Sequence, residues 1–440
     1  MSEAPHRDPA RASDPTRSDP ARAGDPTRSD PARAGDPTRS LCIDGAAELL
    51  RPPADGLPYL RHDGAGELRL DPAPIAVAEG RIAGFERNGA AVAIDATGCA
   101  VIPGLVDCHT HLPFAGWRAE EYELKVTGVA YEEIAGRGGG IASSARAFAN
   151  ASDDEVLAQA RGVAAEMLAH GTTAFEGKTG YGLSVEAEKR AVRLGRELGA
   201  DRVTGLFAHA VPEGYEADAW MDEVDALASE CEVDALDIYV ESVAFANEHL
   251  ERLGTIAARE GVPLRAHVEQ FNANGSVPVA LAAGARSVDH LACLPPEEVG
   301  ILASAECAAV LLPGAELMSA EHTPPARALA DAGAICALAT DCNPGTSPIV
   351  SLPVIVGLAV RRYGWTALEA LLACTLNAAW VLGLSHELGS IEIGKRADLV
   401  LLDEPISHVP YRFGRNPVCV VVRAGEVAWV RPDAAWRVSA

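Results

Sequence analysis

Through the middle of the chain, short β-branched apolar runs alternate with longer stretches of helical period. The apolar runs cover 101–107, 172–176, 203–208, 235–240, 263–267, 287–290, 308–312 and 335–340. Each is too short for a helix and reads as a strand buried on both faces. Between them, the helical stretches 152–170, 184–199 and 247–261 open at or near Ser or Asn, and the last two end at or just before Gly. Such residues satisfy the free N–H and C=O groups at helix ends. Eight strand-plus-helix units in succession predict an α/β fold, a (β/α)8 TIM-like barrel, which needs about 250 residues.

The flanks carry a different pattern. PIAVA at 74–78 is followed by a turn at 79–80 and by short β runs at 81–82 and 91–95. Near the other end, SIEIGKRADLVLLD (390–403) and VCVVVRAGEVAWV (418–430, with a turn at 424–425) are also β-like. The expected organisation is a small composite β-sandwich domain from 41–103 and 385–440, wrapped around a barrel at 104–384. Residues 1–40 stand apart. Three eleven-residue units (RDPARASDPTR, then SDPARAGDPTR twice) fill 7–39, each with two prolines and no large apolar side chain. Proline at that density excludes a helical seam, so a disordered tail is expected.

Composition narrows the function. Apolar residues make up 48% and aromatics 5%, so the core is mainly Ala, Val, Leu and Ile. The tail carries seven Arg against seven Asp or Glu, so the net charge of −25 belongs to the rest. An acidic body of this kind argues against nucleic acid and anionic membranes as partners. There is no apolar run of 18 residues and no apolar N-terminal leader. Ten cysteines occur, none at CxxC spacing. They read as reduced thiols of a cytoplasmic protein.

Candidate chemistry sits at the C-terminal ends of the predicted strands, where barrel enzymes place their active sites. His109 and His111 follow the first strand, His209 the third, His267 the fifth, His290 the sixth and Asp341 the eighth. The i, i+2 spacing of His109 and His111 points both rings to one face. With His267 and Asp341 they make a set of three nitrogens and one oxygen, suited to Zn²⁺ or Fe²⁺ with a position left for water. Such a cation brings the pKa of bound water toward neutrality. Asp341 is then both ligand and candidate proton acceptor. His290 is a candidate for stabilising charge on a carbonyl oxygen or for moving a proton. The reaction class is hydrolysis at an electrophilic carbon, most simply an amide or amidine.

A series of ordered segments carries a resemblance: PGLVDCHTHLPFAGWRAEEYELK (103–125), YEEIAGRGGGI (131–141), KTGYGL (178–183), AHA (208–210), HVEQ (267–270), VDHL (288–291), LLPGAE (311–316), TDCNPGTSP (340–348) and GSIEIGKRADLV (389–400). In these the chain resembles the amidohydrolase superfamily and, within it, the imidazolonepropionase family of histidine degradation. The resemblance implies opening of the imidazolone propionate ring amide to N-formimidoyl-L-glutamate, a cytoplasmic homodimer, and a small anionic cyclic amide as substrate. The alternative is a related amidohydrolase or deaminase acting on another small cyclic amide or amidine. By position, the family's substrate contacts fall on Arg118, Tyr181, His209, Gln270, Asn343, Gly345 and Thr346. Arg118 suits a propionate because a guanidinium grips a carboxylate with two parallel bonds; its plainer role is a surface pair with Glu120 or Glu121. Pro344 and Gly345 are expected to shape a turn that offers backbone donors, and 138–140 to act as a lid. Gln270 stands where many deaminases of the superfamily have Glu, and Glu269 is a candidate substitute as proton carrier. The fourth strand contains no Lys, which implies one metal rather than two. Trp117, Thr179 and Val268 depart from the family's usual Asn, Ser and Ala, and Trp117 is expected to narrow the ring pocket.

Overall fold

The computed structural model describes residues 40–129, 138–319 and 322–439. The repeat tail and most of YEEIAGRGGGI lie outside the described residues. Eight parallel strands form one sheet in strict chain order: Leu105–Asp107, Thr172–Lys178, Arg202–Ala208, Ala235–Tyr239, Leu264–Val268, Ala285–His290, Ala308–Leu311 and Ile335–Leu338. The two outer strands meet through a bridge between Thr110 and Cys342, which closes the sheet toward a barrel.

The helix ends follow the signals in the sequence. Ser152 caps Asp153–Ala169, and Ser152 and Glu155 satisfy each other's backbone N–H groups. Ser184 accepts from Ala187 N–H at the start of Val185–Leu198, and Gly199 ends that helix in the left-handed region at φ 83°. Asn247–Glu260 ends likewise at Gly261, φ 71°.

One sequence expectation divides in two. The run at 101–107 is not a single barrel strand. Ala100–Pro103 belongs to another sheet, and only Leu105–Asp107 enters the barrel. Gly104 separates them; a Cβ there would lie 2.1 Å from Thr173 Oγ1, so only glycine lets the chain pass.

The terminal segments build two five-stranded sheets that pack face to face. In one, Glu426–Val430, Val418–Arg423, Leu399–Leu402, Ala100–Pro103 and Glu48–Leu49 lie side by side. In the other the order is Val438–Ser439, Val92–Asp95, Ser40–Asp44, Ile75–Ala78 and Arg81–Gly84. Leu399–Leu402 shows how the two cores join. Leu399 and Leu401 point into the sandwich with Val101, Val420 and Ile75. Val400 and Leu402 point the other way, into the main barrel core. Alternation along a strand buried on both faces explains the unbroken LVLL. Among the described residues no helix is long and apolar enough to cross a membrane.

Leu401 is fully buried, so Leu401→Ala is expected to destabilise the fold by about 2–5 kcal/mol, through lost transfer energy and the cavity left behind. Urea unfolding measures this. A loss under about 1 kcal/mol would mean that the sandwich is not part of the cooperative unit.

Candidate active site and metal centre

The seam between the first and eighth strands sets the site. Asp341 N–H donates to the His109 carbonyl at 3.0 Å, and His111 N–H to the Cys342 carbonyl at 2.9 Å. These bonds bring Asp341 against the HxH pair. Its Oδ1 lies 3.4 Å from His109 Nε2 and 3.2 Å from His111 Nε2. One ring nitrogen from each of His109, His111 and His267 lies within 4.8 Å of the others. Glu269, His290 and Asp341, each just past or at a strand end, have positive φ (54°, 79° and 53°). Non-glycine residues rarely adopt that conformation, and its concentration here marks a preorganised site.

The residues fit a metal cation. His109 Nε2, His267 Nε2 and Asp341 Oδ1 are all buried without a hydrogen-bond partner. Buried polar atoms are ordinarily satisfied, so orphans gathered at one place fit a bound cation. Behind them, His109 Nδ1 lies 2.6 Å from Asp289 Oδ2 and His267 Nδ1 lies 3.1 Å from Asp237 Oδ1. A carboxylate on Nδ1 fixes the tautomer and turns the Nε2 lone pair toward the metal position. Sequence reasoning did not single out Asp237 or Asp289.

The electrostatics agree. Burial holds His111 at about 4 and His290 at about 3, and lowers His267 and His209 as well. All four rings are therefore neutral near pH 7. Burial opposes ionisation of Asp341, but the His109 and His111 rings facing its Oδ1 hold it well below the usual carboxylate range. His109 differs. Burial and Lys178 push its pKa down, yet the Asp289 carboxylate on Nδ1 and the nearby Asp341 carboxylate leave it raised. Carboxylates that favour a proton here favour a cation equally.

Above this cluster opens a cavity. Arg118, Tyr181, His209, Gln270, Asn343 and Thr346 line it, together with His111, His267, His290 and Asp341. Tyr239, Phe271 and Ile141 also line it. Their apolar character made them indistinguishable from core in the sequence. His209 Nδ1 donates to Gly180 C=O at 2.9 Å, which leaves Nε2 as the acceptor. Arg118 is not a solvated surface residue, although its Nε does pair with Glu121 at 3.3 Å, and its side chain is only 8% exposed. Its Nη1 donates to Gly140 C=O and Ser144 Oγ, both at 2.8 Å. The described end of the expected lid is thus tied to Arg118.

Three expectations change. Glu269 does not face the cavity. Its two oxygens accept from Asn274 and Ser276 N–H, both at 2.7 Å, so it holds the loop that follows Gln270 and has no free oxygen for proton transfer. The donors expected at the 343–346 turn are taken, since Asn343 Oδ1 accepts from Gly345 N–H at 2.9 Å and from Thr346 N–H at 2.7 Å. Gly345 touches Arg118 instead; a Cβ there would lie 1.6 Å from Nη2. Trp117 packs edge-on against Phe114 at 4.9 Å and lies outside the cavity lining. Thr179 and Val268 are buried away from it.

Residues 100–428 match the model of the amidohydrolase family. The chain belongs to the amidohydrolase family. Among curated relatives, this amidohydrolase is 42% identical to an imidazolonepropionase of Rubrobacter xylanophilus, over 83% of this chain and 93% of the relative. It is 43% identical to one of Cupriavidus necator, over 76% of this chain and 83% of the relative. Solved structures share the fold at low identity. An adenosine deaminase from Xanthomonas campestris with bound zinc superposes with TM-score 0.66 at 20% identity, covering 89% of this chain and 93% of that one. A guanine deaminase from C. acetobutylicum with bound guanine gives 0.67 at 14%, covering 89% and 100%.

His290 and the remote His62 share a depressed pKa. Burial takes them to about 3 and about 4 from an ordinary 6.5. The unfolded chain therefore binds more protons than the folded one below about pH 6.5, and stability falls as the pH falls toward 4. The slope is up to about 1.4 kcal/mol per pH unit for each group. Urea unfolding of metal-free protein at pH 7.5 and 5.0 is expected to show this loss, reduced in His62→Gln and His290→Gln. A loss unchanged in both variants would contradict the assignment.

Proposed function

We propose that this amidohydrolase is an imidazolonepropionase, which adds water across the ring amide of imidazolone propionate to give N-formimidoyl-L-glutamate. The observation that carries the proposal is a buried three-histidine, one-aspartate cluster under a cavity whose wall carries the Arg118 guanidinium. Family membership and the imidazolonepropionase relatives support it.

His109, His111, His267 and Asp341 would hold one divalent cation, zinc or iron. When bound, it supplies a Lewis acid that makes water nucleophilic at neutral pH. The protein does the rest. Arg118 grips the propionate, with Gly345 leaving room for the guanidinium. His209 offers Nε2 as acceptor for a ring N–H, because Gly180 holds its other nitrogen protonated. Tyr181, Gln270 and Thr346 fix the ring's position against the cluster. Asp341, held ionised, takes the proton that water gives up. His290, neutral in its buried site, faces the charge that grows on the carbonyl oxygen. That proton then goes to the ring nitrogen as the C–N bond breaks, so atoms and charge balance.

Nothing in the geometry favours the deaminase alternative. Trp117, which stands where the family usually has Asn, does not reach the cavity.

Purified protein loaded with Zn²⁺ or Fe²⁺ is expected to bleach imidazolone absorbance catalytically; no turnover with metal bound would reject the assignment. A charge-assisted pair contributes about 1.5–3 kcal/mol, so Arg118→Met should raise KM on the order of 10- to 100-fold. Gly345→Ala should raise it in the same direction by displacing the guanidinium. Unchanged KM in both would remove Arg118 from the carboxylate site.

A further inference from the structure

Below the ligand layer the barrel encloses five charged side chains that no step above uses. Glu176 and Lys178 come from the second strand, Asp237 from the fourth, Arg265 from the fifth and Asp289 from the sixth, and all are buried to 1% exposure or less. In each strand the period of two turns them inward: Arg265 shares its face with His267, and Asp237 with Tyr239.

Their contacts form a connected set. Lys178 Nζ lies 2.6 Å from Asp237 Oδ2, 3.0 Å from Glu176 Oε2 and 3.9 Å from Asp289 Oδ2. Arg265 lies 2.5 Å from Glu176 Oε1 and 2.7 Å from Asp289 Oδ2. Asp289 and Asp237 in turn hold His109 and His267. Two of the three imidazole ligands are thus joined through carboxylates that share one ammonium.

We propose that Lys178 is a positioning residue for the metal centre: it ties Asp237 to Asp289 and, through them, fixes the tautomer and ring orientation of His267 and His109. The proposal rests on the metal-centre reading above. Charge explains why a cation is required. Three buried carboxylates face two cations, and among the described residues Lys178 is the only Lys or Arg within 4.0 Å of Asp237. Arg265 reaches Asp289 and Glu176 but not Asp237, so it does not replace Lys178. Without the ammonium, Asp237 keeps only His267 and the Ile238 N–H as partners, and no cation holds its Oδ2 in place. A carboxylate without that anchor no longer holds the His267 ring in the orientation that turns Nε2 toward the cluster.

The test uses the full chain loaded with zinc, and follows zinc release to a chromogenic chelator. Loss of such outer-shell partners typically weakens metal binding 10- to 100-fold. Lys178→Met and Asp237→Asn are each expected to speed release at least about 10-fold. The double variant should exceed the faster single by no more than about threefold, since Lys178 acts through Asp237. Unfolding of the metal-free proteins separately reads any merely structural role. Release within twofold of the parent in folded Lys178→Met overturns the proposal, as does a double variant equal to the product of the singles. If Lys178→Met does not fold, Asp237→Asn and Asp289→Asn take its place. A shared bridge makes their double less than the product, and a full product overturns it. A parent chain holding under a tenth of an equivalent of zinc and iron would instead sink the metal reading itself.

Discussion

The site depends on the seam where the first barrel strand meets the last. Only two backbone hydrogen bonds at its upper end, Asp341 N–H to His109 and His111 N–H to Cys342, set ligands from opposite ends of the sheet beside one another. Lower down, a side chain spans the gap. Asp107 accepts from Thr340 N–H at 3.1 Å and from Thr340 Oγ1 at 2.6 Å. Burial pushes Asp107 up to about 7 against these bonds. A closed barrel has no free edge to slip along, so this register is fixed by every strand between. The HxH pair and Asp341 are therefore held by the whole sheet rather than by local contacts.

The upper rim of the site follows a second rule. Two of the loops that carry cavity residues, around Tyr181 and after Gln270, are fastened by buried carboxylates accepting backbone N–H groups. Glu188 takes those of Gly180, Gly182 and Leu183, around Tyr181. Glu241 takes those of Phe271 and Asn272. Glu269 takes those of Asn274 and Ser276. Charge-assisted bonds of this kind are short and strong, and they replace the regular ladder that a loop lacks. They also hold Leu183 and Glu269 in left-handed backbone. Function is thus carried on irregular backbone made rigid, which is what precise positioning requires.

What could be read from the sequence follows from these two rules. Strand runs, capping residues and the HxH spacing are local, and they are enough to place the barrel and the His109/His111 pair at its mouth. The split at Gly104 was hidden because 101–107 is uniformly apolar and only the Thr173 contact interrupts it. Glu269 was given a proton because its neighbours in sequence suggested a site; its partners at 274 and 276 become visible only when the loop folds back. Asp237, Lys178, Arg265 and Asp289 did carry a signal. A strand buried on both faces has nowhere to put a charge except against another charge, and four such strands contain one or two. Which charges pair depends on the alignment of neighbouring strands, which no single segment encodes.

For an acidic chain to take an anionic substrate, as proposed, its charges must be sorted by depth. The net charge of −25 is spread over the molecule, and beyond a Debye length of about 8 Å salt screens it from the cavity. Inside, the balance is different. The buried layer holds three carboxylates against Lys178 and Arg265, and Asp341 adds one more above it. A divalent cation there would offset both surplus charges. The rings that line the cavity are neutral, so they neither repel a carboxylate nor neutralise the metal position. Arg118 then provides the positive pole at the cavity wall, partly shared with Glu121. On the proposed function, an incoming propionate would meet a guanidinium packed against Gly140, Ser144 and Gly345. There the pair is stronger than at the surface because the dielectric is lower. Local burial, rather than the sign of the whole protein, decides which ligand is drawn in.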